Sequence, residues 1–238
     1  MWSFHRKESL LQSGALQGGT DWHCHILPGV DDGIPQMESA LKALHAYAEM
    51  GIREVWLTPH IMEDVPNTTE KLRARFEQLK AACQEPLQLH LAAENMLDNL
   101  FEERLEANDL LPLNDNYLLV ETSYFNPPYN FWGILERIQS KGYYPLLAHP
   151  ERYVYMEDKE YGKLKDMGVA LQLNLPSLCG LYGIHAQKKA LKLLKQGAYQ
   201  RCGSDLHRLS PIQAVFSEKR FDKKTLTMVR ELCKYPGD

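Results

Sequence analysis

Asp21-Trp22-His23-Cys24-His25 closes a short apolar run with a carboxylate and two imidazoles at alternate positions. Polar clusters of the same form close later apolar runs: Thr58-Pro59-His60, Ala93-Glu94, Val120-Glu121-Thr122, Ala148-His149-Pro150 and Ser204-Asp205-Leu206-His207. In a parallel barrel the C-terminal ends of the strands converge on one face, and the active site is built there. Acids and histidines at successive strand ends therefore predict one convergent site. The set they offer, imidazole and carboxylate, is a ligand set of divalent metal ions.

Between the clusters the apolar periodicity alternates between strand and helix. Strand one is short and ends near Asp21. Residues 36–50 read as a helix with Met37, Ala40, Leu41, Leu44 and Ala48 on one face and Gly51 as its stop. Strands follow at 54–58, 87–93, 117–121, 144–148, 169–174 and 199–204. Helices at 69–82, 97–106, 131–141, 157–167 and 184–196 separate them, and two more near 211–219 and 222–234 finish the chain. Seven strand–helix units predict an α/β fold with a parallel sheet. Residues 19–238 read as a single catalytic domain, preceded by a tail over 1–18 that is mobile or loosely docked.

Along a strand the side chains alternate faces, which puts Asp21, His23 and His25 together and turns Trp22 and Cys24 away. Two imidazoles can then grip one ion, with Asp21 behind them to fix a tautomer. Asp21, Asp32, Glu94, Glu121 and Asp205 would meet at one mouth, where several carboxylates cannot all stay ionised unaided. Divalent cations remove that repulsion. Asn174 ends strand six facing the site, either in a supporting role or as a simple strand-end cap.

The 238 residues are 44% hydrophobic and 24% charged, with a net charge of −4. That balance favours neither nucleic acid nor an anionic membrane. No run approaches the ~18 apolar residues of a membrane helix, and the first 19 residues make a poor signal peptide. The five cysteines are widely spaced and form no C-x-x-C pair, which suits free thiols in a reducing compartment. The expected location is the cytoplasm.

Asp21–His25, Val30-Asp31-Asp32-Gly33, Thr58–His60, Ala92–Glu94, Leu119–Thr122, Ala148-His149-Pro150-Glu151-Arg152-Tyr153 and Ser204–His207 together resemble the PHP (polymerase and histidinol phosphatase) superfamily. More narrowly the chain is similar, over roughly residues 19–210, to the CpsB/YwqE-type bacterial protein-tyrosine phosphatases of capsule and exopolysaccharide operons. The resemblance implies a distorted (β/α)7 barrel with three metal ions, usually manganese, iron or zinc being the other candidates. By motif position His23, His25, Glu94 and Asp205 would hold one ion, and Asp32, His60 and His207 a second. Glu121 and His149 would hold a third, with Glu94 bridging. Asp31 is the alternative to Asp32. Arg152 would clamp the phosphate, with Arg208 as a second arginine, since Ile212 occupies the spacing where related sequences carry one. The implied reaction is attack on phosphorus by a metal-activated water, and the implied partner is a phosphotyrosine protein such as the tail of a bacterial tyrosine kinase.

Other readings remain open on the residues. Cys202 to Arg208 matches C-x5-R, the loop of cysteine-based tyrosine phosphatases. A phosphoesterase acting on a small phosphorylated metabolite would use the same scaffold. Tyr124, Phe125, Tyr129, Phe131, Tyr153 and Tyr155 could line a cleft for a phosphotyrosyl ring or merely pack loops. His5, His45, His90 and His185 lie outside the strand-end pattern and read as surface or core residues.

Overall fold

The computed structural model describes residues 7–234, so His5 lies outside the described residues. Every strand pairing between named strands is parallel. A three-stranded sheet has the order β1 (Thr20–Cys24), β2 (Glu54–Leu57) and β4 (Gln88–Leu91). A six-stranded sheet has the order β3 (His60–Ile61), β5 (Glu94–Met96), β6 (Tyr117–Glu121), β7 (Tyr144–Ala148), β8 (Ala170–Asn174) and β9 (Arg201–Gly203).

The predicted second and third strands are each broken in two. Pro59 has no N–H to give a ladder, and the Thr58 N–H turns to the carbonyl of Cys24. At the second break the Ala93 N–H goes to the carbonyl of Leu111. Each break hands the chain from one sheet to the other, so β3 and β5 join β6 and their predecessors stay with β1. The sheet curls until its first and last strands meet: the Asp205 N–H donates to His23 O at 2.7 Å and the His25 N–H to Leu206 O at 3.0 Å.

Helices cross between the strands: α1 (Met37–Glu49), α2 (Thr69–Ala82), α3 (Asn99–Ala107), α4 (Phe131–Ser140), α5 (Asp158–Asp166), α6 (Leu175–Leu178) and α7 (Gly183–Lys195). Helices α8 (Leu209–Ser217) and α9 (Lys223–Cys233) follow. Side-chain oxygens of Thr68, Asp98 and Asp222 cap α2, α3 and α9 by accepting backbone N–H groups otherwise left orphaned. No helix among the described residues is long and apolar enough to cross a membrane.

Two apolar layers follow from strand alternation. Leu118 and Val120 belong to the large cluster shared with the helices, whereas Leu119 packs with Trp22, Trp56, Leu146 and Ala170 in a small cluster on the concave side. Glu121, two residues after Leu119, shares its face.

The expected loose tail is docked over its described part. Leu10 is 0% exposed, with Ala15 and Leu16 also buried. The Glu8 and Leu11 N–H groups donate to the carbonyls of Phe221 and Phe216, tying the segment to the C-terminal region. Spacing alone missed this, because three apolar residues scattered among polar ones make no periodic signal. Leu10→Ala should lower the unfolding free energy by ~2–5 kcal/mol, the usual cost of emptying a buried leucine site. Urea denaturation measures it, and a change below about 0.5 kcal/mol would mean the segment contributes little.

Candidate metal centre

Strand β1 and the residue that follows it present two of the imidazoles, but not through regular alternation. Its register against β2 slips between Asp21 and Cys24, where three residue steps face two. This β-bulge lets Trp22 stack on Trp56 in the small cluster while Cys24 enters the large one. It also turns Asp21 away from the imidazole rings. The Asp21 carboxylate accepts the N–H groups of His23 (3.1 Å) and Ser204 (2.9 Å) and the Tyr47 hydroxyl (2.7 Å). Asp21 therefore fastens β1 to β9 and α1 and fixes no tautomer, contrary to the strand-alternation expectation.

Two other residues take that task. His25 Nδ1 lies 2.8 Å from Asp31 Oδ2 and His23 Nδ1 3.0 Å from Gln172 Oε1. Carboxylate and amide oxygens only accept, so each Nδ1 carries a hydrogen and each Nε2 faces the centre. Asp31 also accepts the His60 and Gly33 N–H groups, which fills its oxygens. Asp32 stands free of that work: its Oδ1 lies 3.2 Å from His207 Nε2 and 3.6 Å from His60 Nε2, with its side chain 72% exposed at the mouth. Between the two adjacent acids, geometry puts Asp32 among the donor atoms. Gln172 was not singled out in the sequence, although it sits two residues before Asn174 on the same strand face.

Three groups of donor atoms result. His23, His25, Glu94 and Asp205 form the first, His25, Asp32, His60 and His207 the second, and His60, Glu94 and Glu121 the third. In the first, His23 Nε2 lies 3.1 Å from His25 Nε2, 3.1 Å from Glu94 Oε2 and 3.6 Å from Asp205 Oδ1. His25 Nε2 lies 3.2 and 3.4 Å from the same two oxygens. Ligands held ~2.0–2.2 Å from one ion sit about 2.8–3.6 Å apart along the edges of an octahedron or tetrahedron. All five distances fall in that range. In the third group His60 Nδ1 lies 3.1 Å from Glu94 Oε2 and 3.0 Å from Glu121 Oε1. These three atoms are buried and lack a hydrogen bond despite the short separations. They aim at a common point rather than at each other, as donors around a cation do. His149, expected with Glu121, has its Nε2 3.0 Å from Glu94 Oε1 and 3.7 Å from Glu121 Oε2. The residues present fit divalent cations.

The charges of the cluster compensate one another. Burial opposes a charge on His23, but Glu94 and Asp205 outweigh it and hold the imidazole at about 9. His25 is likewise raised well above the usual imidazole range, against the same burial, by Asp205, Asp31 and Glu94. Burial would lift Glu94 and Asp205, yet surrounding imidazoles, with Arg152 at Asp205, hold both carboxyls low. Protons on imidazole thus occupy the electrostatic place that cations would take.

His149 (φ 34°) and Asp205 (φ 51°) both occupy the left-handed backbone region, strain of a kind that concentrates at functional sites. Glycines press on the backs of His23 and His25. A Cβ at Gly203 would lie 2.5 Å from the His23 Cβ and 2.8 Å from its N, and one at Gly33 would overlap the His25 carbonyl.

Arg152 Nη1 donates to Asp205 Oδ2 at 2.5 Å, an acidic partner 53 residues away that sequence proximity did not reveal. Asn174 Nδ2 donates to the same oxygen at 3.0 Å, so Asn174 supports Asp205. The expected role of Arg208 is not what its contacts describe: Nη1 donates to the carbonyls of Asp32, Gly33 and His207, pinning the Asp32 loop. Glu151 points away, accepting the Asn174 N–H and the Tyr199 hydroxyl. A cavity of about 530 Å³ opens above the donor atoms, lined by Arg152, Arg208, Tyr124 and Tyr182 among others. Of the aromatics weighed from the sequence, Tyr124 lines this cavity, Phe131 and Tyr153 are buried packing, and Phe125 (69%) and Tyr129 (98%) are exposed. His45 is paired with Glu85 and His90 stacks on Trp56, away from the centre.

Cys202 is fully buried on β9 with its Sγ 3.1 Å from Cys233 Sγ. That contact and burial push its thiol far above the range in which a thiolate forms. The C-x5-R reading fails for this reason, and because Arg208 bonds loop carbonyls.

The Bacillus subtilis tyrosine-protein phosphatase YwqE is 31% identical over 194 residues, covering 79% of this chain and 76% of that protein. The Streptococcus pneumoniae tyrosine-protein phosphatase CpsB is 30% identical, covering 79% and 83%. A solved structure from work on YwqE and CpsB, described as unique metal-dependent tyrosine phosphatases, superposes with a TM-score of 0.76 at 28% identity, covering 90% of this chain and 93% of that one. A Listeria monocytogenes lactonase shares the fold alone, with a TM-score of 0.59 at 11% identity. With residues 19–217 matched by its model, the chain belongs to the CpsB/CapC family of capsular polysaccharide synthesis.

Proposed function

We propose that this chain is a metal-dependent protein-tyrosine phosphatase acting on a phosphotyrosine protein, such as the tail of a bacterial tyrosine kinase that controls capsule or exopolysaccharide synthesis in the cytoplasm. The observation that carries the reading is the spacing of the His23, His25, Glu94 and Asp205 donor atoms, which matches the edges of a coordination polyhedron. We read residues 19–238 as one catalytic domain on a distorted (β/α)7 barrel, counting β2 with β3 and β4 with β5 as single broken strands.

Three ions fit the donor set. His23, His25, Glu94 and Asp205 would hold the first, and Asp32, His60 and His207 the second. Glu94, Glu121 and His149 would hold the third, with the His60 Nδ1 turned toward it. Manganese suits the mixture of imidazole and carboxylate, as would iron or zinc. When bound, such ions neutralise phosphoryl oxygens and activate water. The chain's own part is to hold and orient. Asp31 and Gln172 keep the Nε2 lone pairs of His25 and His23 on the centre. Asp205 shares its two oxygens between the donor cluster and Arg152. Arg152 meets charge that develops on the equatorial oxygens. A phenol leaving group with pKa ≈10 places little demand on a general acid.

Chelation should abolish hydrolysis of a phosphotyrosyl peptide, and manganese should restore it better than magnesium. Because cations replace protons on His23 and His25, loading should release protons, and metal affinity should weaken as pH falls below about 9. Full activity in thoroughly demetallated protein, verified by elemental analysis, would sink the reading. A parallel assay with histidinol phosphate and sugar phosphates decides between the protein substrate and a small phosphorylated metabolite.

Cys202→Ser should keep most of the activity. Loss of turnover in a folded, metal-loaded Cys202→Ser protein would restore the cysteine mechanism.

Arg152→Ala should cut kcat/KM by ~10²-fold or more, the scale of one lost transition-state donor. Arg152→Lys should recover only part, since an ammonium cannot copy the fork. Glu94→Ala should lose bound metal along with rate. Near wild-type turnover in Arg152→Ala would make Arg152 a structural partner of Asp205 alone.

A further inference from the structure

A guanidinium has two faces and an edge, and at Arg152 two tyrosine rings lie within cation–π distance of it. The Tyr124 ring lies 4.4 Å from Arg152 Cζ and the Tyr182 ring 4.0 Å. Both tyrosines line the same cavity as Arg152. They arrive from different strand ends, Tyr124 just after β6 and Tyr182 in the turn between α6 and α7 that follows β8. That turn is flanked by Gly180 (φ 82°) and Gly183 (φ 87°), left-handed positions that glycine adopts without strain. Nη1 at the guanidinium edge is occupied by Asp205. What remains for a ligand is the rest of that edge.

A long cationic side chain beside a cluster of carboxylates has other places to go. Glu94 and Asp205 both attract Arg152, and without something on its faces the side chain could fold down onto the donor atoms. Aromatic rings on both faces would keep the plane upright, because a cation over a π-face is attracted to the ring while its N–H groups stay in plane.

We propose that Tyr124 and Tyr182 are positioning residues that clamp the Arg152 guanidinium from both faces and present its edge to the phosphoryl group. The proposal rests on the phosphatase reading above and adds Tyr182, which no motif in the sequence marked. The clamp also denies Arg152 a stacking role against a substrate ring, so the arginine reads phosphate and the aryl group must find its contacts elsewhere in the cavity.

The test is a double-mutant cycle on manganese-loaded full-length protein, read in two ways: kcat and KM for a phosphotyrosyl peptide, and calorimetric affinity for inorganic phosphate. Tyr182→Ala should weaken phosphate binding and lower kcat/KM by about tenfold, the scale of one partly desolvated cation–π contact. Tyr182→Phe, which keeps the ring, should recover most of that loss. In an Arg152→Ala background, Tyr182→Ala should cost less than about twofold more, because the residue it positions is gone. Metal content and Tm verify that each variant is folded and loaded, and Tyr182→Leu replaces Tyr182→Ala if the latter unfolds. Losses that multiply in the double variant, a Phe variant as weak as Ala, or no loss in Tyr182→Ala would each overturn the clamp. Absence of turnover with any phosphoester in the wild-type protein defeats the phosphatase reading, while the phosphate arm still judges the clamp; a loaded wild type that neither turns over a phosphoester nor binds phosphate defeats both.

Discussion

The Glu94 carboxylate is the constraint around which the molecule is arranged. It is wholly buried, its Oε2 within 3.2 Å of ring nitrogens from His23, His25 and His60, and its Oε1 3.0 Å from His149. An ionised carboxylate at that depth is untenable without cationic company. Four imidazoles from three different strand ends must therefore reach one point. That requirement explains the curl of the sheet, the break at Pro59 that brings His60 round, and the backbone hydrogen bonds that draw β9 against β1. Trp22, Trp56 and Leu119 pack below the charged layer on the concave side and keep it remote from the other end of the sheet.

Much of this was legible in the chain. Acids and histidines recurring after apolar runs located the donor atoms, and the crossover helices fall within a residue or two of the expected spans, except the short α6, which had no expected counterpart. What escaped were features that depend on irregularity or on distance along the chain. Strict alternation gave Asp21 the same face as His23, but one extra residue in β1 rotates it outward to Tyr47 and Ser204. Gln172 lacked any motif, and its role exists only because closure of the sheet leaves β9 alone between β8 and β1. Tyr182 lies in a turn whose path is set by two left-handed glycines. Docking of residues 7–18 depends on contacts with the far end of the chain, which local periodicity cannot register.

Asp205 illustrates how the layers are coupled. Its backbone N–H helps join β9 to β1, its Oδ1 faces three histidines, and its Oδ2 receives Arg152 and Asn174. A single residue in a left-handed conformation thus connects sheet closure, the donor cluster and the anion-facing arginine. Double-mutant energies measured among these groups will not add, because every pair shares Asp205.

Gly203 and Gly33, pressed against the backs of His23 and His25, bear on how such a chain can diverge. Neither donates an atom to the centre, and neither needs its missing side chain for a left-handed turn. Each is held to glycine by volume alone, since a single methyl would collide with a histidine's backbone. A drifting lineage could trade imidazole for another nitrogen or oxygen donor and keep some affinity for cations. It has no comparable latitude at these two chemically silent positions, where the narrowest passage through sequence space is set by a few cubic ångströms of empty room.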